Sequence, residues 1–322
     1  MKKTLQLFPI VDLKPFIGEG SLVALNVGPD AQLYAVIAHK TLDYRTNDPD
    51  KASFVITKPD EQQAYRVVAF CGGELTLDVH IAHERFNIHE VQPLPGGEFL
   101  LVCCRSHYKG PNDFDKNGRV YSSDGILLRE ILLGDGIQNV QATTGGLIWT
   151  SFFDEGILGN SGWNDPIGAS GLVAWDSLGN NVYEFTPMDG LDSVWDCYAL
   201  NVESDSSTWL YYYTDFPLVH LHNRRIESHW KMPISGSHAF AVSRGSVLFC
   251  GGYDDCNDYD RDDYHLFELG PSGHVQMTAS ICIIDEDGDQ LSADRIIGRS
   301  NALHIERDGC VYCLNVKAAV NA

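Results

Sequence analysis

Short apolar runs, each meeting a Gly-, Asn- or Asp-rich turn and then a second apolar run, recur six times along the chain. The clearest copies run from Ile88 to Leu94, turning at Gly96-Gly97 into Phe99-Leu100-Leu101-Val102, and from Ile137 to Ala142, turning at Gly145-Gly146 into Leu147-Ile148-Trp149. Short runs bounded by such turn residues specify strands rather than helices. Inner strands are predicted to begin near Leu22, Ile88, Ile137, Val194, Ala239 and Arg295. Apolar second strands follow over Leu33 to Ala38, Phe99 to Cys103, Leu147 to Phe153, Trp209 to Tyr213, Val247 to Cys250 and Leu303 to Ile305. A repeat of this kind cannot bury its apolar faces alone, so copies pack side by side around an axis. The expected fold is all-β: a single six-bladed β-propeller of four-stranded antiparallel blades, residues 1-322 forming one domain. Five or seven blades also fit, because the copies are irregularly spaced against the about 40 to 50 residues of regular propeller repeats.

After Cys310-Val311-Tyr312-Cys313-Leu314 only a short tail remains, so the last blade lacks a strand. The segment Thr4 to Leu13 is placed to supply it, closing the ring with an N-terminal strand and covering a sheet edge. The irregularity of the repeat concentrates in the connections after second strands: His39 to Ala52, Ser106 to Gly118, Asp154 to Ser170 and Tyr253 to Asp263. In a propeller these loops share one face with the segments entering the inner strands. Long loops on a rigid scaffold are where function concentrates.

Hydrophobic residues make up 44% of the 322, with 14 Tyr, 14 Phe and 6 Trp, enough for a full core and with no long polar tract. The formal charge of −21, from 44 acidic and 23 basic residues, disfavours nucleic acid and anionic membranes, whose phosphates require Lys and Arg. It suits a cation or a basic protein partner, and it also confers plain solubility. The start Met1 to Pro9 resembles a signal peptide but loses its apolar run at Asp12 and has no small-residue cleavage site, and no stretch reaches the length of a membrane span. The nine cysteines are odd in number, and Cys71, Cys103, Cys104, Cys250 and Cys282 fall in apolar strand runs, which suits a reducing, cytoplasmic location.

The predicted loop face carries His39, His107, Asp154, Glu155, Asp215 and Asp254 from one class of connection. Glu19, His89, Asn139, Asp196, His238 and Arg295 come from the other. Carboxylates, imidazoles and a guanidinium gathered at one mouth can hold a metal, polarise a carbonyl or bind a small polar ligand; a propeller face is also polar simply because it is wet. The segment Ser151 to Pro166 is the densest mixture of aromatic, acidic and glycine residues, and Asp154, Glu155, Trp163 and Asn164 within it are ligand-binding candidates together with Asp215 and Asp254. Trp163 either stacks on a ligand or fills a small core of its own loop. Asp113-Phe114-Asp115-Lys116-Asn117-Gly118 spaces oxygens at alternate positions before a glycine, as a calcium loop does, though an Asn-Gly turn between strands accounts for the same residues. The acidic run from Asp254 to Asp263 reads as a cation site or as an exposed turn. Cys310-Val311-Tyr312-Cys313 has zinc spacing, but residues three apart on a strand face opposite ways and no second pair accompanies it.

Ile17-Gly18-Glu19-Gly20-Ser21 resembles the opening of the gluconolactonase and SMP-30 type six-bladed propellers, in which a Glu-Gly-Pro-x-Trp stretch starts the first inner strand and its Glu binds a catalytic divalent ion. Here Ser21 stands for the Pro and Val23 for the Trp, so only Glu19 carries over. Two readings follow. The first is a ligand- or protein-binding propeller using an acidic, loop-rich face toward a small polar ligand or basic protein. The alternative is a divalent-metal-dependent hydrolase or lactonase with calcium or zinc held in the central channel by Glu19, Asn139 and Asp196, and with His89, His238 or Arg295 as catalytic groups.

Overall fold

The computed structural model describes residues 2–40, 56–253 and 262–321. They form an all-β fold of antiparallel blades arranged as a propeller. Each blade runs from an inner strand through a second and third to an outer one. The first comprises Ser21–Val27, Leu33–Ala38, Gln63–Cys71 and Glu74–Glu84; the second Glu90–Leu94, Glu98–Val102, Gly118–Tyr121 and Leu127–Ile131; the third Ile137–Ala142, Ile148–Phe152, Leu172–Trp175 and Asn181–Glu184. The fourth comprises Asp196–Val202, Ser207–Tyr213, Pro217–His222 and Arg225–Lys231; the fifth Ala239–Ser243, Ser246–Cys250, Tyr264–Leu269 and Val275–Ile284; the sixth begins with Arg295–Arg299, Ala302–Arg307 and Cys310–Asn315. Burial is graded along each blade: Leu33–Ala38 and Ile148–Phe152 are buried throughout, whereas Asn181–Glu184 is mostly exposed. Middle strands covered on both faces therefore read as continuous apolar runs, and outer strands as mixed ones.

The N-terminal segment does two jobs. Val11–Asp12 pairs antiparallel with Cys310–Asn315 and supplies the missing outer strand of the sixth blade. Lys2–Gln6 instead runs parallel to Val275–Ile284, adding a fifth strand to the fifth blade. The expected closing segment, Thr4 to Leu13, is thus divided between two blades. The backbone bonds Leu7 N to Ile284 O and Ile10 N to Val311 O mark the change of partner.

The chain divides into two compact units, Pro15–Phe185 with the first three blades and Met1–Lys14 plus Thr186–Ala322 with the other three. The inner strands that open these halves share a device. Both end in Ala-Leu-Asn-Val, at Ala24 to Val27 and Ala199 to Val202, and both carry a register shift just before it. Asn26 Nδ2 donates to Glu90 Oε2 at 2.7 Å and to the Val140 carbonyl at 3.1 Å. Asn201 Nδ2 donates to the carbonyls of Phe240 at 2.8 Å and Ser300 at 3.0 Å. One buried amide on each first inner strand therefore ties down groups on its neighbours, satisfying acceptors that burial would leave costly.

In the Pro15–Phe185 unit a buried ionic knot joins the first blade to the second. Glu84 is wholly buried; it accepts from Arg119 Nε at 3.0 Å, the Tyr121 hydroxyl and the Phe86 amide at 3.0 Å, while Arg119 also meets Glu130. A buried carboxylate is tolerable only when so fully bonded. No helix among the described residues is long and apolar enough to cross a membrane.

Candidate functional site

In the Pro15–Phe185 unit, two connections after second strands interlock. One, in the second blade, folds back as a small hairpin of Tyr108–Gly110 with Asp113–Phe114. The other, in the third blade, opens with the short helix Asp154–Leu158. Gly162 lies under the hairpin with φ +88°, and a Cβ there would sit 2.1 Å from the Tyr108 carbonyl oxygen, so only glycine fits. Trp163 packs 4.8 Å from the Tyr108 ring and 6.2 Å from Phe114, and its Nε1–H donates to the Ser106 carbonyl at 2.7 Å. Its indole thus packs into a core shared by the two loops rather than one of its own loop alone.

Beneath this aromatic contact lies Arg105. Its guanidinium grips Asp135 in a fork, Nε to Oδ1 at 2.9 Å and Nη2 to Oδ2 at 3.1 Å. Nη1 meets Glu155, Nη2 donates to Ser161 Oγ at 3.1 Å, and Asp135 also accepts from the Ser106 amide at 2.7 Å. Arg105 and Asp135 are buried. Planar, two-pronged pairing of this kind is what arginine does better than lysine.

Asp115, also buried, pairs with Lys58 and accepts from the His107 amide at 3.2 Å. Burial alone would raise its pKa, but His107 and Lys58 together hold it well below the usual carboxylate range. Asn117 spends its amide on the carbonyls of Cys103 and Gly134, both at 2.8 Å, and its oxygen on the Leu133 amide at 3.0 Å. Asp113 is exposed on the hairpin. These bonds put Asp115 and Asn117 to work inside the loop scaffold.

The segments entering inner strands hold the other candidates of this unit. His89 Nδ1 accepts from the Cys104 amide at 3.2 Å, and burial, with Arg105 nearby, pushes its pKa down to about 4. The next residue, Glu90, is pushed the other way: desolvation lifts its carboxyl to about 8 despite the bond from Asn26. Asn139 Oδ1 accepts from Ser151 Oγ at 3.3 Å. Glu19 is exposed and lines a cavity of about 340 Å³ with His39, Arg66 and His80; the two imidazoles stand edge to face at 5.7 Å. Asp154 opens its short helix, accepts from the neighbouring Glu155 amide at 2.7 Å and is exposed, as is Asn164.

The remaining candidates belong to the other unit. Asp196 stands opposite Tyr213 in the fourth blade's ladder. Asp215 pairs with Lys231 at 3.4 Å, His238 Nε2 lies 4.0 Å from Cys250 Sγ, and Arg295 donates to Glu306 at 3.0 Å. Asp254 lies outside the described residues. Of the three oxygen ligands expected in a central cation site, Glu19 and Asn139 are in one unit and Asp196 in the other. Among the described residues, no three or more His, Cys, Asp or Glu side chains gather in a metal-binding group.

Sequence reasoning missed two features. One is the Arg105–Asp135 pair, whose members are 30 residues apart. The other is an aromatic shelf contributed by the fourth and fifth blades. Trp195, Tyr213 and Tyr253 are 48%, 46% and 42% exposed. Tyr198 and Phe216 join them, Tyr198 to Phe216 at 5.2 Å, Tyr213 to Phe216 at 5.7 Å, and the hydroxyls of Tyr198 and Tyr253 at 3.0 Å. The run Tyr211-Tyr212-Tyr213 pointed to it only at its end: Tyr211 and Tyr212 are fully buried, and Tyr213, the last residue of its strand, is exposed.

A family profile described as the YxzG family matches residues 168–314. Curated proteins give no match. Among solved structures, the WD40 beta propeller domain of Doa1 is similar, at 10% identity over 94% of this chain and 95% of that one, with a TM-score of 0.46. That resemblance is too slight to speak to activity.

Proposed function

We propose that this protein is a binding propeller whose loop face recognises a partner, most simply a basic protein, rather than transforming a substrate. One observation carries the reading. The ionic groups of the interlocked loops are consumed by one another, Arg105 by Asp135 and Glu155 and Asp115 by Lys58, so they stiffen a platform. Its outward surface is left to Asp154, Leu158, Asn164 and Asp165, all exposed. A rigid, acidic ledge around one exposed leucine suits docking, because ordering the loops in advance lowers the entropic cost of association. His89, buried and neutral near pH 7, is poorly placed to shuttle protons. The buried Cys103, Cys197 and Cys250 suit a reducing, cytoplasmic setting.

The test is affinity capture from native lysate with wild type and with an Asp154→Lys/Asp165→Lys variant of unchanged melting temperature. A partner held by wild type and lost by the variant supports the reading; equal capture by both sinks the platform as the binding surface. A second reading, the calcium- or zinc-dependent hydrolase, draws support from Glu19 sharing a cavity wall with His39 and His80. Stabilisation by either ion that vanishes in Glu19→Gln, together with ester or lactone hydrolysis, would favour it instead.

A further inference from the structure

The aromatic shelf of the Met1–Lys14 plus Thr186–Ala322 unit is not used by the platform above. Exposed large aromatics are costly to leave in water, and monomeric proteins rarely gather several on one face without a partner for them. Here the scaffold works to display them. Asp215 and Phe216 both adopt left-handed backbone, at φ 62° and 50°, where the Cβ of a non-glycine residue crowds the following carbonyl. Phe216 is held there by ring contacts with Tyr198, Tyr211 and Tyr213. Tyr253 is seated over Gly236, where a Cβ would meet its ring at 2.3 Å. The Trp195 amide donates to the Tyr213 carbonyl at 2.9 Å, which anchors the backbone of the one to that of the other. The shelf rests on a buried core that includes Ala199, Tyr211, Phe240 and Phe249, so it is stiff as well as exposed.

Asp215, beside Phe216, is paired with Lys231, and a second acid lies near the rings. Asp196 stands across the ladder from Tyr213 and close enough to Tyr198 to disfavour ionisation of that phenol, which burial already suppresses. Tyrosine and tryptophan faces present negative charge of their own, and a cation placed over them is attracted by the ring quadrupole. Beside Tyr253 a cavity of about 370 Å³, walled also by Ile234, Phe267 and the half-exposed Met277, offers room for an aliphatic stem. The net charge of −21 draws cations toward the whole molecule.

We propose that this shelf is a docking site for an extended segment of a partner protein, whose lysine or arginine side chain lies against Trp195, Tyr213 and Tyr253 with its charge toward Asp196. This rests on the binding reading above and names the group recognised. A fluorescein-labelled octapeptide alternating glycine and arginine is titrated by anisotropy at about 0.15 M salt, where the Debye length is about 8 Å and the general field is screened. The same peptide with citrulline for arginine measures the part that charge plays. Saturable binding to wild type is expected, weakened about tenfold by Trp195→Ala and severalfold by Asp196→Asn. Asp287→Asn, which removes an equal charge from an exposed turn, should leave it within about twofold. No binding, or binding unaffected by Trp195→Ala in protein of normal melting temperature, overturns the proposal; so does equal weakening by Asp196→Asn and Asp287→Asn. If the peptide ignores the shelf while partner capture still depends on Asp154 and Asp165, the shelf alone falls. If the reverse holds, the platform falls and the shelf stands.

Discussion

Arg105 shows how a single side chain can set the shape of two loops: its guanidinium is bonded to Asp135 on one stretch of chain and to Glu155 and Ser161 on another. Replacing it with methionine would leave the Asp135 carboxylate buried without its counter-charge, a loss of about 3 to 5 kcal/mol. Urea denaturation of Arg105→Met should show it, and Arg105→Met/Asp135→Leu should recover much of it; a single variant as stable as wild type would contradict the assignment. Glu90 makes a prediction in pH. In the unfolded chain its carboxyl titrates near 4.5 and in the fold at about 8, so between those values unfolding releases a proton and stability falls as pH rises. His89 and His304, near 6.5 unfolded and about 4 folded, act oppositely: unfolding takes up a proton, and stability is lost as pH drops through that window. Melting temperature should therefore decline from about pH 6.5 to pH 8 in wild type. Glu90→Gln, which keeps an acceptor for Asn26, should abolish that decline. Glu155 and Trp163 stood out in the sequence because their segment is compositionally odd, whereas Arg105 did not. Nothing local in Cys104-Arg105-Ser106 says that its partner sits on the next blade.

At the scale of elements, the strands were readable and the loops were not, and the reason is physical. A strand's pattern is set by which faces are buried, continuous where both are and alternating where one is, a signal carried by each residue itself. The loops after second strands take their shape from packing against other loops, as Gly162 does from the Tyr108 carbonyl. The same reason explains the Asp113 to Gly118 segment, whose alternating oxygens resemble a calcium loop in spacing while Asn117 spends its side chain on the backbone of Cys103, Leu133 and Gly134. Trp163→Ala tests the interlock: loss of the indole from between Tyr108 and Phe114 should cost roughly 3 kcal/mol and open residues 158–166 to protease. Unaltered proteolysis would mean that the loops are held chiefly by Arg105. The paired Ala-Leu-Asn-Val strands are a repeat that the sequence displays plainly, yet only the bonds of Asn26 and Asn201 give it a meaning.

For the whole molecule, the six-bladed reading and the identity of the inner strands followed from the apolar pattern, with five or seven blades left open by the irregular spacing, while the path of the N-terminus followed only in part. A five-residue strand of Lys2-Lys3-Thr4-Leu5-Gln6, alternately exposed and half-buried, has too little apolar content to announce which edge it will cover. Its two pairings separate under truncation. Deleting residues 2–6 should leave the fifth blade with four strands and an open edge, lowering melting temperature modestly and promoting association in light scattering. Deleting residues 2–12 also strips the sixth blade of its outer strand and should be much the more severe; equal effects would show that the Val11–Asp12 pairing contributes little. The order of manufacture adds a further consequence. Val11 and Asp12 leave the ribosome long before Cys310–Asn315, and they find their partner only once that strand has been made. At about 5 to 20 residues per second, that leaves them waiting for tens of seconds. A strand made early is thus seated late, and Val11–Asp12 stays unpaired until Cys310–Asn315 has been made.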